Sequence, residues 1–370
     1  ILLDATGEYR GFDGEHVANF HLGAPVNTAK SSAPCTLPQT SFIESDFIAL
    51  FEPAGKVQGP KLRAAIRSLR LAALAPHVAT GGIIKKIDQS KVPIMTEEAK
   101  AGIAEKLDDP QQAFDVWKLV SQIEQECVYP DGFGSARGQK DFTKWGGDSG
   151  EVSFCLSLMS RINGILSSSS FECVFKSKAP ALTEKISSFV SNEDRLLRIC
   201  LSGVAFEFKA REIVANVIGR HLLNMARNGA FKSRPVVVIV DEAHNFLGRQ
   251  IGADDAVARL DAFELIAKEG RKYGLNICLS TQRPRDITEG VLSQMGTLVV
   301  HRLTNDRDRE VVERACGEVD RSASSFLPNL KPGEAAIIGA DFPIPLTIQV
   351  FPPSAKPLSD GPNYQTNWKV

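Results

Sequence analysis

The sequence predicts an α/β fold built on a mostly parallel sheet. From Leu196 onward, short β-branched runs alternate with helical ones, the pattern of strands joined by crossover helices. Val236 to Val240 is an unbroken apolar run, expected of a central strand buried on both faces. Of the 370 residues, 43% are hydrophobic and 24% charged, a globular balance that excludes a disordered chain.

The elements follow in order. Ile1 to Asp4 read as a strand entering a Gly-containing turn. With no turn or leader ahead of it, this strand reads as the interior of a domain whose earlier part precedes Ile1. Residues 11–55 read as loop-rich. From Gly59, the run KLRAAIRSLRLAAL sets Leu62, Ile66 and Leu69 at helical spacing, with Arg63, Arg67 and Arg70 on another face. Thr96 is placed as the N-cap of a helix running past Ile103. Pro110 is placed at the start of a helix carrying Phe114, Trp117, Val120 and Ile123. Residues 130–151, rich in Gly and Asp, read either as a surface loop or as a basic loop facing DNA. Ser167–Ser170 reads as a short polar loop. Strands are expected at 198–204, 235–240, 275–281, 297–303, 335–340 and 345–350. Helices fit between them at Ala210–Asn228, Asp255–Tyr273 and Asp306–Cys316. The tail from Pro352, with four prolines, reads as an extended arm.

Composition narrows the function classes. Lys and Arg total 43 against 44 Asp and Glu, a net charge of −1. Nucleic-acid binding must therefore use a local basic surface. The apolar runs are too short to span a bilayer. The seven cysteines form no Cys-x-x-Cys pair; they read as reduced, buried thiols of a cytosolic protein.

The chemistry concentrates at Val236-Val237-Val238-Ile239-Val240-Asp241-Glu242-Ala243-His244. An apolar strand that delivers two acids at its carboxyl end has the form of a Walker B element. Asp241 would hold Mg²⁺ through water against nucleotide phosphates. Glu242 would act as general base on the attacking water. A second strand ends in Ser280-Thr281-Gln282-Arg283. Gln282, with Thr281 as second choice, fits a polar sensor of the γ-phosphate. Between them, Arg271 and Lys272 precede Gly274, a good helix C-cap. Arg271 reads either as a charge complementing the helix dipole or as an arginine finger reaching a neighbouring subunit. A DExH-box helicase is disfavoured, because about ninety residues after Gln282 are too few for a second such domain. No G-x-x-x-x-G-K-[ST] phosphate loop occurs in the 370 residues.

These motifs resemble the HerA group of the HerA/FtsK superfamily. The likeness rests on ILLDATGEYR, on ICLSGVAFEFKAREIVANVIGRHLL from Ile199, and on VVVIVDEAHNF. It continues through EGRKYGLNICLSTQRPRDITEGVLSQ, HRLTN and LKPGEAAIIG. Asp4, Gly7, Glu8 and Tyr9 match a D-x-x-G-E-Y element that follows the phosphate-loop helix. The resemblance implies a RecA-like P-loop NTPase core that starts at 1–11 and resumes at 196–350. A mainly helical insertion at 12–195 and an arm at 351–370, crossing onto the adjacent subunit, complete the organisation. The phosphate loop and a small β-barrel would precede Ile1.

The same resemblance implies an ATP-hydrolysing homohexamer that moves double-stranded DNA. Asp241, Thr281 and Glu8 would lie on the nucleotide side, and Glu242, Gln282 and the trans-acting Arg271 would carry the reaction. Candidates for gripping DNA phosphate are Arg283, Arg285, Arg137, Lys140 and Lys144, each equally readable as a solvated charge. Partners implied are a nuclease of the NurA type in end resection, or a sirtuin-like or nuclease effector in antiphage defence. The competing reading is a ring scaffold that organises such an effector without translocating.

Overall fold

The computed structural model describes residues 1–134, 138–247, 249–251, 258–315, 326–339 and 342–358. Its strands, in chain order, are β1 (Leu2–Asp4), β2 (Val17–Leu22), β3 (Ala33–Cys35), β4 (Gly132–Phe133), β5 (Lys140–Asp141), β6 (Leu196–Cys200) and β7 (Val236–Val240). They continue as β8 (Arg249–Ile251), β9 (Ala258–Leu260), β10 (Leu275–Leu279), β11 (Thr297–His301), β12 (Glu334–Gly339) and β13 (Phe342–Gln349). Six of them make one sheet in the order β10-β7-β1-β6-β2-β3. Every pairing in it is parallel. All carboxyl ends therefore share one edge, where ligands of open α/β sheets gather.

β1 sits between β7 and β6, and Leu2, Leu3 and Asp4 are all buried. A fully buried charge in such a strand needs a partner. Asp4 finds it on β6: Arg198 Nε and Nη2 lie 2.8 and 2.7 Å from Asp4 Oδ2, with both side chains fully buried.

The helices are α1 (Glu44–Phe51), α2 (Gly55–Leu74), α3 (Val92–Glu98), α4 (Ala101–Leu107), α5 (Leu119–Glu126) and α6 (Val152–Ser167). After them come α7 (Glu172–Phe175), α8 (Leu182–Ser191), α9 (Ala210–Arg227), α10 (Ala262–Glu269), α11 (Glu289–Leu292) and α12 (Asp306–Ala315). α9 and α10 are the crossovers leading from β6 to β7 and from β7 to β10. α2, α5 and α6 meet around Glu126, which accepts from Ser68 Oγ, Gln122 Nε2 and Lys86 Nζ. One apolar core runs from Leu3, Leu197 and Val238 of the sheet into Phe47, Leu62, Ile123 and Leu158 of these helices.

Several expectations change. Residues 17–22 and 33–35, read as loop, are β2 and β3 of the main sheet. The segment 12–195 thus supplies strands and shared core, and does not begin as a separate helical insertion at residue 12. The Thr96 helix is two helices broken at Lys100, whose backbone is extended; Thr96 lies inside α3 and bonds back to Val92 O. Pro110 starts no helix, since a 3₁₀ turn begins only at Val116. Ser169–Phe171 form a 3₁₀ turn where a polar loop was expected. β11, β12 and β13 form their own antiparallel sheet, packed over Val312, Leu327 and Leu330, so they do not extend the parallel one. Val236–Val240 is not buried on both faces: Val237 is 47% exposed. Its register partner Asn276 and the neighbouring Cys278 are exposed on the same face. No described element covers that face, and β10 pairs only with β7 among the described residues.

The tail has no regular structure over 351–358, and Leu358 N donates to Glu8 O of the same chain at 2.8 Å. Its remaining residues, like Asp255 and Cys316 of the expected helices, lie outside the described set.

Replacing Arg198 by Met would leave Asp4 buried and unpaired. Urea denaturation should show a loss of about 3–5 kcal/mol, and Asp4→Asn combined with Arg198→Met should lose less than the two single losses together. Additive losses would show that the pair is not the stabilising unit.

Candidate active site

The site is built at the carboxyl edge from the ends of β1, β7 and β10. Asp4 shapes the first part. Its Oδ1 accepts from Gly7 N at 2.7 Å and its Oδ2 from Tyr9 N at 3.1 Å. Gly7 is required here: its φ is +83°, and a Cβ would stand 2.5 Å from Asn27 Cβ. The turn carries Tyr9, stacked on Phe12, and sets its ring beside the Asp241 carboxylate. Burial, with Asp241, Asp4 and Glu8 nearby, pushes the Tyr9 phenol up to about 12. It therefore stays protonated.

Asp241 is 7% exposed. Its backbone N bonds Leu3 O at 3.3 Å, and its side chain also meets Ser280. Burial first, and then the adjacent Glu242, raise its carboxyl above the usual carboxylate range. Glu242 leaves the strand in the left-handed region, φ 50° and ψ 44°, a costly conformation for a residue with a Cβ. Ala243 N then bonds Ser280 O at 2.9 Å and Ser280 N bonds Val240 O at 3.0 Å, tying the ends of β7 and β10 together.

Glu242 Oε2 is buried without a hydrogen bond. His244 Nδ1 lies 3.2 Å from it, within ion-pair distance but not aligned as a donor. The same nitrogen is 3.2 Å from Thr281 Oγ1, which accepts from Arg283 N at 3.0 Å. Gln282 is exposed at the end of β10, and Glu8 is half-buried beside Tyr9.

The structure thus brings Asp241, Glu242, Thr281, Gln282 and Glu8 to one edge. Arg271 is elsewhere. It is exposed in the 3₁₀ turn Gly270–Tyr273, capped by Gly274 in the left-handed region. That turn enters the amino end of β10, roughly 16 Å from the acids at about 3.3 Å per residue. Arg283 Nε pairs with Asp286 Oδ2 at 3.0 Å, and Arg285 Nε stands 3.9 Å from both Asp286 and Asp308. Lys140 and Lys144 belong to the β4–β5 ribbon and its following turn. Their Nζ atoms lie 3.9 Å from Asp131 and Asp141. Arg137 lies outside the described residues.

Sequence reasoning gave no role to Arg198, Ser280 or His244, and matched Tyr9 only as part of a motif. A charged residue within the apolar run of β6 was the available signal for Arg198. The other three depend on which strand ends become neighbours. The residues fit a Mg²⁺ ion held through one carboxylate, with water and phosphate oxygens completing its shell. Asp241 and Glu242 put two adjacent carboxyl groups at the end of β7, and Glu242 Oε2 makes no hydrogen bond, whereas Asp4 is already neutralised by Arg198; among the described residues no three metal-ligating side chains cluster.

No protein-family model matches the chain. The DNA double-strand break repair helicase HerA of Pyrococcus furiosus is 33% identical over 117 residues, 32% of this chain and 20% of that protein. The protein of the same name from Sulfolobus acidocaldarius is 29% identical over 161 residues, 42% of this chain and 32% of that one. The matches thus span about a fifth to a third of these relatives' length. Among solved structures, the bacterial conjugative coupling protein TrwB, lacking its first 70 residues, superposes with a TM-score of 0.50 at 13% identity, over 97% of this chain and 79% of that one. Over about a third of its length the chain is similar to the HerA proteins, and its fold is a RecA-like α/β fold shared with TrwB.

Read against Tyr9→Phe, the alkaline absorbance change of Tyr9 should centre near about 12. Because the folded state keeps the phenol neutral, its contribution to stability is present below about 10 and lost as the pH rises towards about 12. Asp241→Asn should lower the midpoint; an unchanged midpoint would show that the hydroxyl does not face that carboxylate.

Proposed function

We propose that this chain is the ATP-hydrolysing core of a DNA translocase of the HerA type. The observation that carries the reading is the placement of Asp241 and Glu242 at the carboxyl end of β7, directly beside the polar end of β10. Among the described residues the edge of β10 is unpaired and the face around Val237 is uncovered, which leaves room beside the acids for a strand and helix that carry a phosphate loop. Such a loop would present backbone N–H groups to the β- and γ-phosphates opposite Asp241.

In this reading Asp241 holds Mg²⁺ through water, and the ion neutralises phosphate charge when bound. Tyr9 and Ser280 flank the Asp241 carboxylate. Glu242 takes a proton from the attacking water, for which its unpartnered Oε2 is free. Gln282 reaches the γ-phosphate from the exposed end of β10. Arg271, at the opposite end of that strand, can act only on a neighbour's site, which fits a homohexamer. Arg137, Lys140 and Lys144 are candidates for gripping duplex DNA, the two lysines by exchanging Asp131 and Asp141 for phosphate. Arg283 and Arg285 would first have to release Asp286 and Asp308. A NurA-type nuclease, or a sirtuin-like or nuclease effector, is the partner class this reading expects. No described helix is long and apolar enough to cross a membrane.

The test is ATP hydrolysis by the intact protein with and without linear duplex DNA. Hydrolysis should rise with DNA, and Glu242→Gln should lower it by roughly 10²–10⁴-fold, the usual worth of a general base. A purified oligomer with no turnover would sink the motor and leave the scaffold reading.

A further inference from the structure

We infer that His244 is a positioning residue that couples the base Glu242 to the end of β10 through a single ring nitrogen. The inference rests on the ATPase reading above. Nδ1 of His244 stands 3.2 Å from Glu242 Oε2 and 3.2 Å from Thr281 Oγ1. One imidazole nitrogen either donates or accepts, and it serves one of these partners at a time. Thr281 Oγ1 already accepts from Arg283 N, so its own hydroxyl proton is free to be given. With the ring proton on Nε2, Nδ1 accepts from Thr281 and Glu242 Oε2 has no donor. Oε2 is buried and has no other hydrogen-bond partner, so His244 is the group placed to hold it. With the proton on Nδ1, the N–H turns to Glu242 and holds the carboxylate in place.

The backbone makes this a fixed device. The Ala243–Ser280 and Ser280–Val240 bonds set the spacing between the two strand ends. The left-handed Glu242 aims its side chain back towards the ring. The His244 side chain is only 12% exposed, so water competes poorly for Nδ1. Thr281 is next to Gln282, the exposed sensor candidate. Movement of the β10 end would change what Thr281 offers Nδ1, and so whether Glu242 is held in place.

The experiment measures kcat and KM for ATP in the intact protein with linear duplex DNA. Wild type and Glu242→Gln come first: absent turnover, or turnover that Glu242→Gln leaves intact, overturns the ATPase reading and this inference with it. Given that control, His244→Gln and Thr281→Val should each lower kcat by roughly tenfold or more with KM changed less than about twofold, as expected for a misplaced catalytic group. The double variant should be no slower than either single one. Asn at 244 sets its amide near the place of Nδ1, whereas Gln sets it near Nε2. His244→Asn and Thr281→Ser should therefore keep kcat within about threefold of wild type, on the same scale of misplacement. The inference is overturned, with the ATPase reading intact, if His244→Asn is as slow as His244→Gln, if the two losses multiply, or if KM moves as far as kcat.

Discussion

The site depends on one buried ion pair, Asp4 with Arg198. Both side chains are fully buried, and removing two charges from water costs several kcal/mol for each. The cost is offset because the carboxylate is saturated: two guanidinium nitrogens, Gly7 N and Tyr9 N converge on it. The pair stitches β1 to β6 in the middle of the sheet. It also folds the turn that follows β1. Without that turn, Tyr9 would have no fixed route to Asp241. An acid at a strand end looks like a catalytic group, but here it is used to hold another one in place.

The second constraint is the join between β7 and β10. Parallel neighbours bring their carboxyl ends level, so Asp241 and Glu242 stand beside Ser280 and Thr281. Three polar contacts across that join are the Ala243–Ser280 and Ser280–Val240 backbone bonds and the His244–Thr281 approach. A shift of β10 against β7 would disturb all three together. The free edge of β10 is therefore the place where a further strand would affect the acids most directly.

The arrangement of charge follows the same logic. Asp241 is raised and Tyr9 is raised to about 12 because burial and neighbouring carboxylates act in one direction on both. Arg198, the buried positive charge on β6, is already committed to Asp4. Arg283 and Arg285, in contrast, are within ion-pair distance of Asp286, and Arg285 also of Asp308 on α12. Their availability depends on breaking local pairs that are worth little when exposed.

Local pattern was enough for the strands and the acids. Five apolar residues ending in Asp241-Glu242 specify a strand that delivers acids at its end, and alternation after Leu196 specifies helices between strands, because both follow from the spacing of side chains along the chain. It was not enough for β2 and β3, which are short, flanked by polar loops, and stable only because β6 pairs with them. It misassigned β11 to β13, since a strand's direction relative to its neighbours is set by pairing and not by composition. The Thr96 and Pro110 helix starts failed because capping residues compete with tertiary contacts that fix where each turn begins. By itself the sequence determined the type of fold, the acids and the polar strand end beside them. Only the tertiary structure decided that Asp4 is spent on Arg198, that Tyr9 reaches Asp241, that His244 lies between Glu242 and Thr281, and that Arg271 stands at the far end of β10. The reason is that these are contacts between strand ends distant in sequence, and parallel pairing alone makes them neighbours.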